Sequence, residues 1–330
     1  MPDCAITVSQ LSKIYRVPQK DPGLAASVRG LFKPRFQNVE AVQQVSFNIQ
    51  AGEMVGLIGP NGAGKTTILK MLTGLLYPTA GHVDVLGYEP WKRSPAFLKR
   101  ISMVLGNKSS VAWDIPPLDS FRMLAEIYNL PKAAYHQSLD ELVTLLDIGD
   151  LLKRPVRSMS LGERMKCELV AGLLHRPDVL FLDEPTLGLD VSMQIRLRQF
   201  LADYNRNNRI TVILTSHYMA DVQALCPRVI LIHHGLLLYD GALAGLAADL
   251  APFKLLRITL DISQPQPTLE LPEGCELLDQ QPDSLTLRVQ RAKTSSATAA
   301  LLNRLPVVDL TVEDPPIETV IDRIYREASL

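Results

Sequence analysis

The chain carries little of what marks several large protein classes. Its 330 residues include only four cysteines (Cys4, Cys167, Cys226, Cys275), scattered without metal-ligand spacing or disulfide-scaffold density. They read as reduced, mostly buried thiols of a cytosolic protein. Charge of either sign is not in excess. Thirty-four basic residues face 35 acidic ones, a net charge of −1, so nothing points to nucleic acid as the main partner. The N-terminus has Asp3 and no long apolar core, which argues against a signal peptide. No uncharged apolar run reaches the roughly 18 residues of a membrane span. The longest candidates, near Val229–Tyr239 and Gly241–Ala251, are short and interrupted by His or Gly, so the chain is not expected to cross a membrane by itself. Internal repeats and low-complexity segments are also missing.

What is present is concentrated in two motifs. Residues 59–67 read Gly-Pro-Asn-Gly-Ala-Gly-Lys-Thr-Thr. Gly59, Gly64, Lys65 and Thr66 occupy the fixed positions of a phosphate-binding loop, and Pro60, Asn61, Gly62, Ala63 and Thr67 complete it. The apolar run Met54–Ile58 precedes it and a helical stretch, Thr67–Leu75, follows. In that context the glycines let successive N–H groups point at phosphate oxygens, and the helix adds its positive end. Lys65 supplies a cation for the outer phosphates, and Thr66 offers a hydroxyl to Mg²⁺.

The second motif, Val179-Leu-Phe-Leu-Asp183-Glu184, is an apolar run ending in two carboxylates. A buried strand delivers such groups rigidly to the C-terminal edge of a parallel sheet, where ligands of these folds bind. Neighbouring side chains on a strand point to opposite faces, so the two acids have distinct roles. Asp183 is expected to hold Mg²⁺ and Glu184 to polarise an attacking water.

The wider pattern is that of an α/β core. Ala5–Leu11 and Ala41–Ile49 alternate and read as antiparallel edge strands. Between them, Arg16 to Glu40 forms a long proline-containing connection with the amphipathic piece Leu24–Phe32. It reads either as a solvated insertion or as a cationic face toward a membrane surface. Val179–Leu182, Thr211–Thr215 and Val229–Ile232 look like buried parallel strands, with helical patterns at Gly162–Leu174 and Val191–Asn205 between them. Ser94–Leu152 reads as mostly helical. Beyond about residue 250 come strands at Lys254–Asp261, Ser284–Val289 and Val307–Val312 and helices at Thr294–Asn303 and Ile317–Glu327, an α+β unit of the ferredoxin-like kind.

With these residues in place, the sequence resembles the ATP-binding subunit of an ABC transporter, of the export-like group with a C-terminal extension. The two motifs match that family's Walker A and Walker B. Ser158-Met-Ser160-Leu-Gly162-Glu163-Arg164 stands where its signature belongs, Gly188-Leu189-Asp190 matches the D-loop, and His217 matches the switch histidine. The resemblance covers roughly residues 5–245 and implies an ATPase using ATP and Mg²⁺, with Asn61, Gly62, Gly64, Lys65, Thr66 and Thr67 on the phosphates. Tyr15, closing the first strand, would stack on adenine. Ser160 and Gly162, with Glu163 in the same signature, would reach the γ-phosphate held by another subunit. His217 would contact that phosphate and steady Glu184, and Asp190 would link two sites across a dimer. Separate permease subunits and a second ATPase copy are the implied partners, at the cytoplasmic face of the membrane. Ser160 with Glu163 also fits a helix-capping box, and the two roles are compatible.

Four departures stand out. Leu161 replaces the signature's first glycine, Met159 its leucine and Glu163 its glutamine. The family's Mg²⁺-sensing glutamine after Ile101–Leu105 is matched only by the shorter Asn107. Ser109–Phe121, with Trp113, Pro116 and Pro117, lies where the family docks a permease helix, and Trp113 reads equally as core. The expected fold is a P-loop NTPase core of the ABC type over residues 1–248. It carries an antiparallel β edge and a helical subdomain at about 94–157, followed by an α+β domain at 249–330. The competing reading is a soluble ABC ATPase with a regulatory or nucleic-acid-related role. A single site set and the absence of a long heptad segment argue against its translation and chromosome forms.

Overall fold

A computed structural model describes residues 4–19, 35–106, 109–216, 218–250, 252–263 and 269–327. The chain divides into two compact units, Met1–Asp240 and Gly241–Leu330.

The first unit is built on a six-stranded sheet. Its members are β3 (Met54–Ile58), β5 (Ile101–Leu105), β6 (Val179–Asp183), β7 (Thr211–Thr215), β8 (Arg228–His233) and β9 (Leu236–Ala242), in the order β5-β6-β7-β3-β8-β9. The pairs β5–β6, β6–β7, β7–β3 and β3–β8 are parallel. Strands β3 and β7 are buried at every position, which is why they read as continuous apolar runs. Side chains such as Leu57, Phe181 and Leu182 are almost fully buried. Each contributes on the order of 2 kcal/mol of burial. β8 and β9 are joined by His234-Gly235, both at positive φ, the backbone of a tight hairpin turn.

Against this sheet stands a three-stranded antiparallel one, β2 (Arg35–Gln50), β1 (Cys4–Gln19) and β4 (Ala80–Val85), ordered β2-β1-β4. Here the sequence expectation needs correction. The alternating pattern suggested strands ending at Leu11 and starting at Ala41, but the ladder continues to Gln19 and Arg35. Beyond Ser12 no further pairing to β4 is seen among the described residues, so β1 becomes one arm of a two-stranded ribbon. Pro18 is tolerated there because an edge position needs no N–H donor on its open side. The amphipathic piece Leu24–Phe32 lies outside the described residues.

Helix α1 (Lys65–Leu72) follows β3 directly. A short helix α2 (Pro95–Leu98) precedes β5, and α3 (Pro117–Tyr128) and α4 (Lys132–Leu146) follow it. The mainly helical stretch thus starts after β5, a member of the sheet. Helix α5 (Leu161–Leu173) leads into β6, α6 (Val191–Asn208) into β7, and α7 (Met219–Leu225) into β8.

The second unit holds α8 (Leu243–Leu250) and a four-stranded antiparallel sheet of β10 (Phe253–Leu260), β11 (Cys275–Gln280), β12 (Ser284–Gln290) and β13 (Val307–Glu313), with α9 (Thr294–Arg304) and α10 (Ile317–Glu327). The order β11-β12-β10-β13 and the antiparallel sense are those of a ferredoxin-like sheet. No helix is described between β10 and β11. Leu256, Leu287, Val289 and Leu301 form its buried centre.

All four cysteines are free. Burial pushes the Cys167 and Cys226 thiols up to about 12, so neither is a reactive thiolate. Cys4 is exposed and Cys275 half-buried.

Candidate functional site: a phosphate loop facing two strand-end carboxylates

The loop Gly59–Gly64 leaves β3 at the carboxyl edge of the parallel sheet and closes into α1. Its shape is dictated by close backbone approaches. A Cβ at Gly59 would lie 2.2 Å from the Ile232 carbonyl oxygen, and one at Gly64 would lie 2.4 Å from that of Ala41. Gly64 also has φ +109°, a conformation closed to ordinary side chains. Asn61 and Gly62 are exposed at the rim and Ala63 is buried beneath them.

Lys65 is only 5% exposed. Its Nζ donates to the carbonyl oxygens of Gly59 at 2.6 Å and Pro60 at 3.1 Å, so the loop curls around its own lysine. Desolvation pushes the Lys65 ammonium below its ordinary value, and the nearby Glu184 and Asp183 carboxylates oppose that shift. The cation is therefore held beside two acids in a partly dry place.

Asp183, at the end of β6, is the meeting point. Thr66 Oγ1 donates to its Oδ2 at 3.0 Å, and Thr215 Oγ1 donates to its Oδ1 at 2.7 Å. The Thr66 hydroxyl and the Asp183 carboxylate thus converge as hard oxygen donors on one spot, a set that suits Mg²⁺. Thr215, at the end of β7, was missed in the sequence. It also accepts the Glu184 N–H, at 3.0 Å through its hydroxyl and 3.1 Å through its carbonyl. Glu184 sits at φ 54°. Such left-handed geometry costs a non-glycine residue about 1–2 kcal/mol and turns the chain sharply off the strand. The Gly106 N–H donates to the Asp183 carbonyl at 2.9 Å, tying the end of β5 to the same corner. Asn107 and His217 lie outside the described residues.

Ser160, Gly162, Glu163 and Asp190 form a second cluster. Ser160 caps α5. Its Oγ accepts the Glu163 N–H at 3.2 Å, and Glu163 Oε2 accepts the Ser160 N–H at 2.8 Å, the expected capping box. The Ser160 backbone N–H, aided by Arg154, holds the Glu163 carboxyl below the usual carboxylate range. Asp190 caps α6, its Oδ1 accepting the Met193 N–H at 2.9 Å. Leu161 lies over Gly188, where an added Cβ would fall 2.9 Å from Leu161 Cδ2, and Met193 packs against Gly162 in the same way. The signature and the 188–190 loop are thus one packed surface.

Tyr15 does not close its strand; it is half-buried four residues before the end of β1, opposite Val39, with the Lys13 ammonium 5.4 Å from its ring centroid. Trp113 is not core. It is 49% exposed, with the Arg164 guanidinium 5.0 Å from its ring, beside a cavity of about 390 Å³ also lined by Gly106, Ser109 and Leu161. Buried Glu168 holds the rim of that cavity, accepting from the Ser109 hydroxyl and from the N–H groups of Ser110 and Val111. Sequence reading gave no sign of this clamp, because its partners lie some 58 residues apart.

Comparison with known proteins gives the family and the fold. Residues 42–187 match the family model described as ABC transporter, and residues 252–313 match the C-terminal domain of EvrA-like ABC transporters. The chain is 34% identical over 215 residues to the ABC transporter ATP-binding protein NatA of Bacillus subtilis, covering 65% of this chain and 87% of that one. It is 30% identical over 291 residues to the daunorubicin/doxorubicin resistance ATP-binding protein DrrA of Streptomyces peucetius, covering 86% of each. Among solved structures, an ATP-binding subunit of an ABC transporter shares the fold at TM-score 0.60 and 24% identity, over 74% of this chain and 92% of that one. An ATP-binding cassette in a dimeric post-hydrolysis state bound to ADP and Pi does so at TM-score 0.59 and 19% identity, over 72% of this chain and 98% of that one. The chain belongs to the ATP-binding proteins of ABC transporters: it is an ATP-binding, ATP-hydrolysing subunit that energises a transporter.

Proposed function

We propose that this subunit works as one of two ATPase copies on the cytoplasmic face of a membrane, bound to separate permease chains, and drives export. The observation that carries the reading is the convergence of Lys65, Thr66, Asp183 and Glu184 at one edge of the parallel sheet. The phosphates of ATP lie along the Gly59–Thr67 backbone and Lys65 turns from the loop carbonyls to the outer phosphates. Thr66 and Asp183 would hold Mg²⁺, which would supply neutralisation of charge developing on the phosphates. Glu184 takes the proton of the attacking water, and His217 steadies that arrangement. Tyr15 lies under adenine, and Asn107 senses the metal site.

One copy holds half of each site. Ser160 and Gly162, at the start of α5, face the γ-phosphate bound by the other copy, with Glu163 beside them and Asp190 joining the two sites. ATP then has a much higher affinity for the closed pair than for the open one, which is what lets it drive a conformational change. The exposed Trp113 surface is where a permease helix docks. The relatives named for drug resistance support the export direction.

The test is Glu184→Gln in the full chain. Loss of a general base lowers turnover by roughly 10²–10⁴-fold while ATP binding persists. Size-exclusion chromatography with Mg²⁺ should then give a dimer only when ATP is present. Turnover near the wild-type rate would remove Glu184 from its assigned role.

A further inference from the structure

Asp221 is fully buried, yet it lies outside every motif read from the sequence. Three donors converge on its carboxylate. Arg198 Nη1, from α6, donates to Oδ1 at 2.7 Å. The Thr186 hydroxyl donates to Oδ2 at 2.5 Å, and the Ser216 hydroxyl donates to the same oxygen at 2.8 Å. Thr186 and Ser216 are themselves 2% and 5% exposed, so neither hydroxyl has water to turn to.

The positions of these two donors matter. Thr186 is two residues beyond Glu184, on the loop that runs to Asp190. Ser216 immediately precedes His217. On the other side of His217, the Tyr218 N–H donates to Ser216 Oγ at 3.0 Å, and the Asp221 N–H donates to the Tyr218 carbonyl at 3.0 Å. The sequence neighbours of the histidine are therefore wound onto Asp221 from both sides. The same carboxylate oxygen holds the loop that follows the general base.

An ion pair between two helices would need only Arg198 and Asp221. The two buried hydroxyls, both spent on one oxygen, are more than helix packing requires. A buried carboxylate with all its partners in place fixes their mutual geometry, because any displaced partner strands a polar group away from water. We propose that Asp221 is a positioning residue that sets the distance between the Glu184 loop and the His217 loop. Asp221 does not touch the nucleotide. It acts through Thr186 and Ser216, so the loop after Glu184 and the end of the Ser216 segment are held as one unit. This inference rests on the roles given above to Glu184 and His217.

Two near-isosteric changes leave the Arg198–Asp221 pair intact. In the full chain, Thr186→Val and Ser216→Ala should each lower kcat about 3- to 10-fold, the net size of one ordinary intramolecular hydrogen bond. KM for ATP should stay within about two-fold, since no phosphate contact is lost. The double variant should be no slower than about the slower single one, because either break already uncouples the loops. Asp221→Asn, assayed per folded molecule, should show the same split between kcat and KM. The proposal is overturned if kcat is unchanged in both single variants, if their effects multiply independently, or if kcat and KM move together with thermal stability. Glu184→Gln in the same series separates the two ideas. If that variant turns over normally, the assignment of the base fails; if it is dead while Thr186→Val and Ser216→Ala are normal, only the role of Asp221 fails.

Discussion

The two clusters that make up the candidate site are built in opposite ways. The phosphate-loop cluster is satisfied from afar. Thr66 and Thr215 reach Asp183 from positions 117 and 32 residues away in sequence, and Lys65 is folded into its own loop. The signature cluster is satisfied locally. Ser160 and Glu163 bond to each other across three residues, Asp190 bonds to Met193, and Leu161 stays 36% exposed. The first cluster is fixed by a buried sheet. The second is fixed by helix caps at an open surface, so it can meet another molecule without disturbing the core.

The sharpest way to break this contrast is Lys65→Ala. It removes a cation placed against the two strand-end acids, and turnover should fall by at least about 10²-fold. Phosphate release measures it. Circular dichroism should stay native, because the lost bonds go to loop carbonyls at the surface of the core. A loss under tenfold would mean that the loop backbone alone carries the phosphates.

A middle-sized effect tests the packed surface of the second cluster. Gly188 has φ +75°, so Gly188→Ala carries about 1–2 kcal/mol of backbone cost in any background. With Leu161 present it also overpacks, adding about 1 kcal/mol. In a Leu161→Gly background that addition should vanish, as denaturant unfolding of the four variants would show. Equal costs in both backgrounds would mean that Leu161 does not rest on the 188–190 loop.

The smallest effect concerns the capping box. The Glu163 carboxyl is held below its ordinary range, so its contribution is fully present above the unfolded carboxylate value and is lost as pH falls through the lower folded one. The stability difference between wild type and Glu163→Gln should be flat well above the ordinary glutamate value of about 4.3 and shrink steadily as pH is lowered below it. A difference that persists in acid would assign it to side-chain packing.

The same contrast explains what could be read from the sequence. Gly59–Thr67 and Val179–Glu184 were legible because fixed spacing on a strand–loop–helix frame is itself the chemistry. Ser160 with Glu163 was legible because a cap is a local object. Thr215, Gly106, Glu168 and Asp221 were not, because their partners are brought in by the sheet rather than by the chain. Strand β11 went unseen because its residues Glu276, Asp279 and Gln280 are exposed and carry little apolar alternation. The continuation of β1 to Gln19 went unseen because Arg16, Val17 and Pro18 face solvent on a ribbon, where pattern gives no sign of pairing. The apolar run near Gly241–Ala251 proved to contain α8, an ordinary short helix.

The close approaches at Gly59 and Gly64 have an energetic consequence for the nucleotide. A loop wedged between the carbonyls of Ile232 and Ala41 has few other shapes to adopt, with or without ligand. A phosphate bound there, as proposed, would meet a preorganised seat and would not have to order a flexible segment. The free energy of its phosphate contacts is not consumed inside one subunit. On the proposed function, it would remain available to draw a second copy of the subunit onto the γ-phosphate.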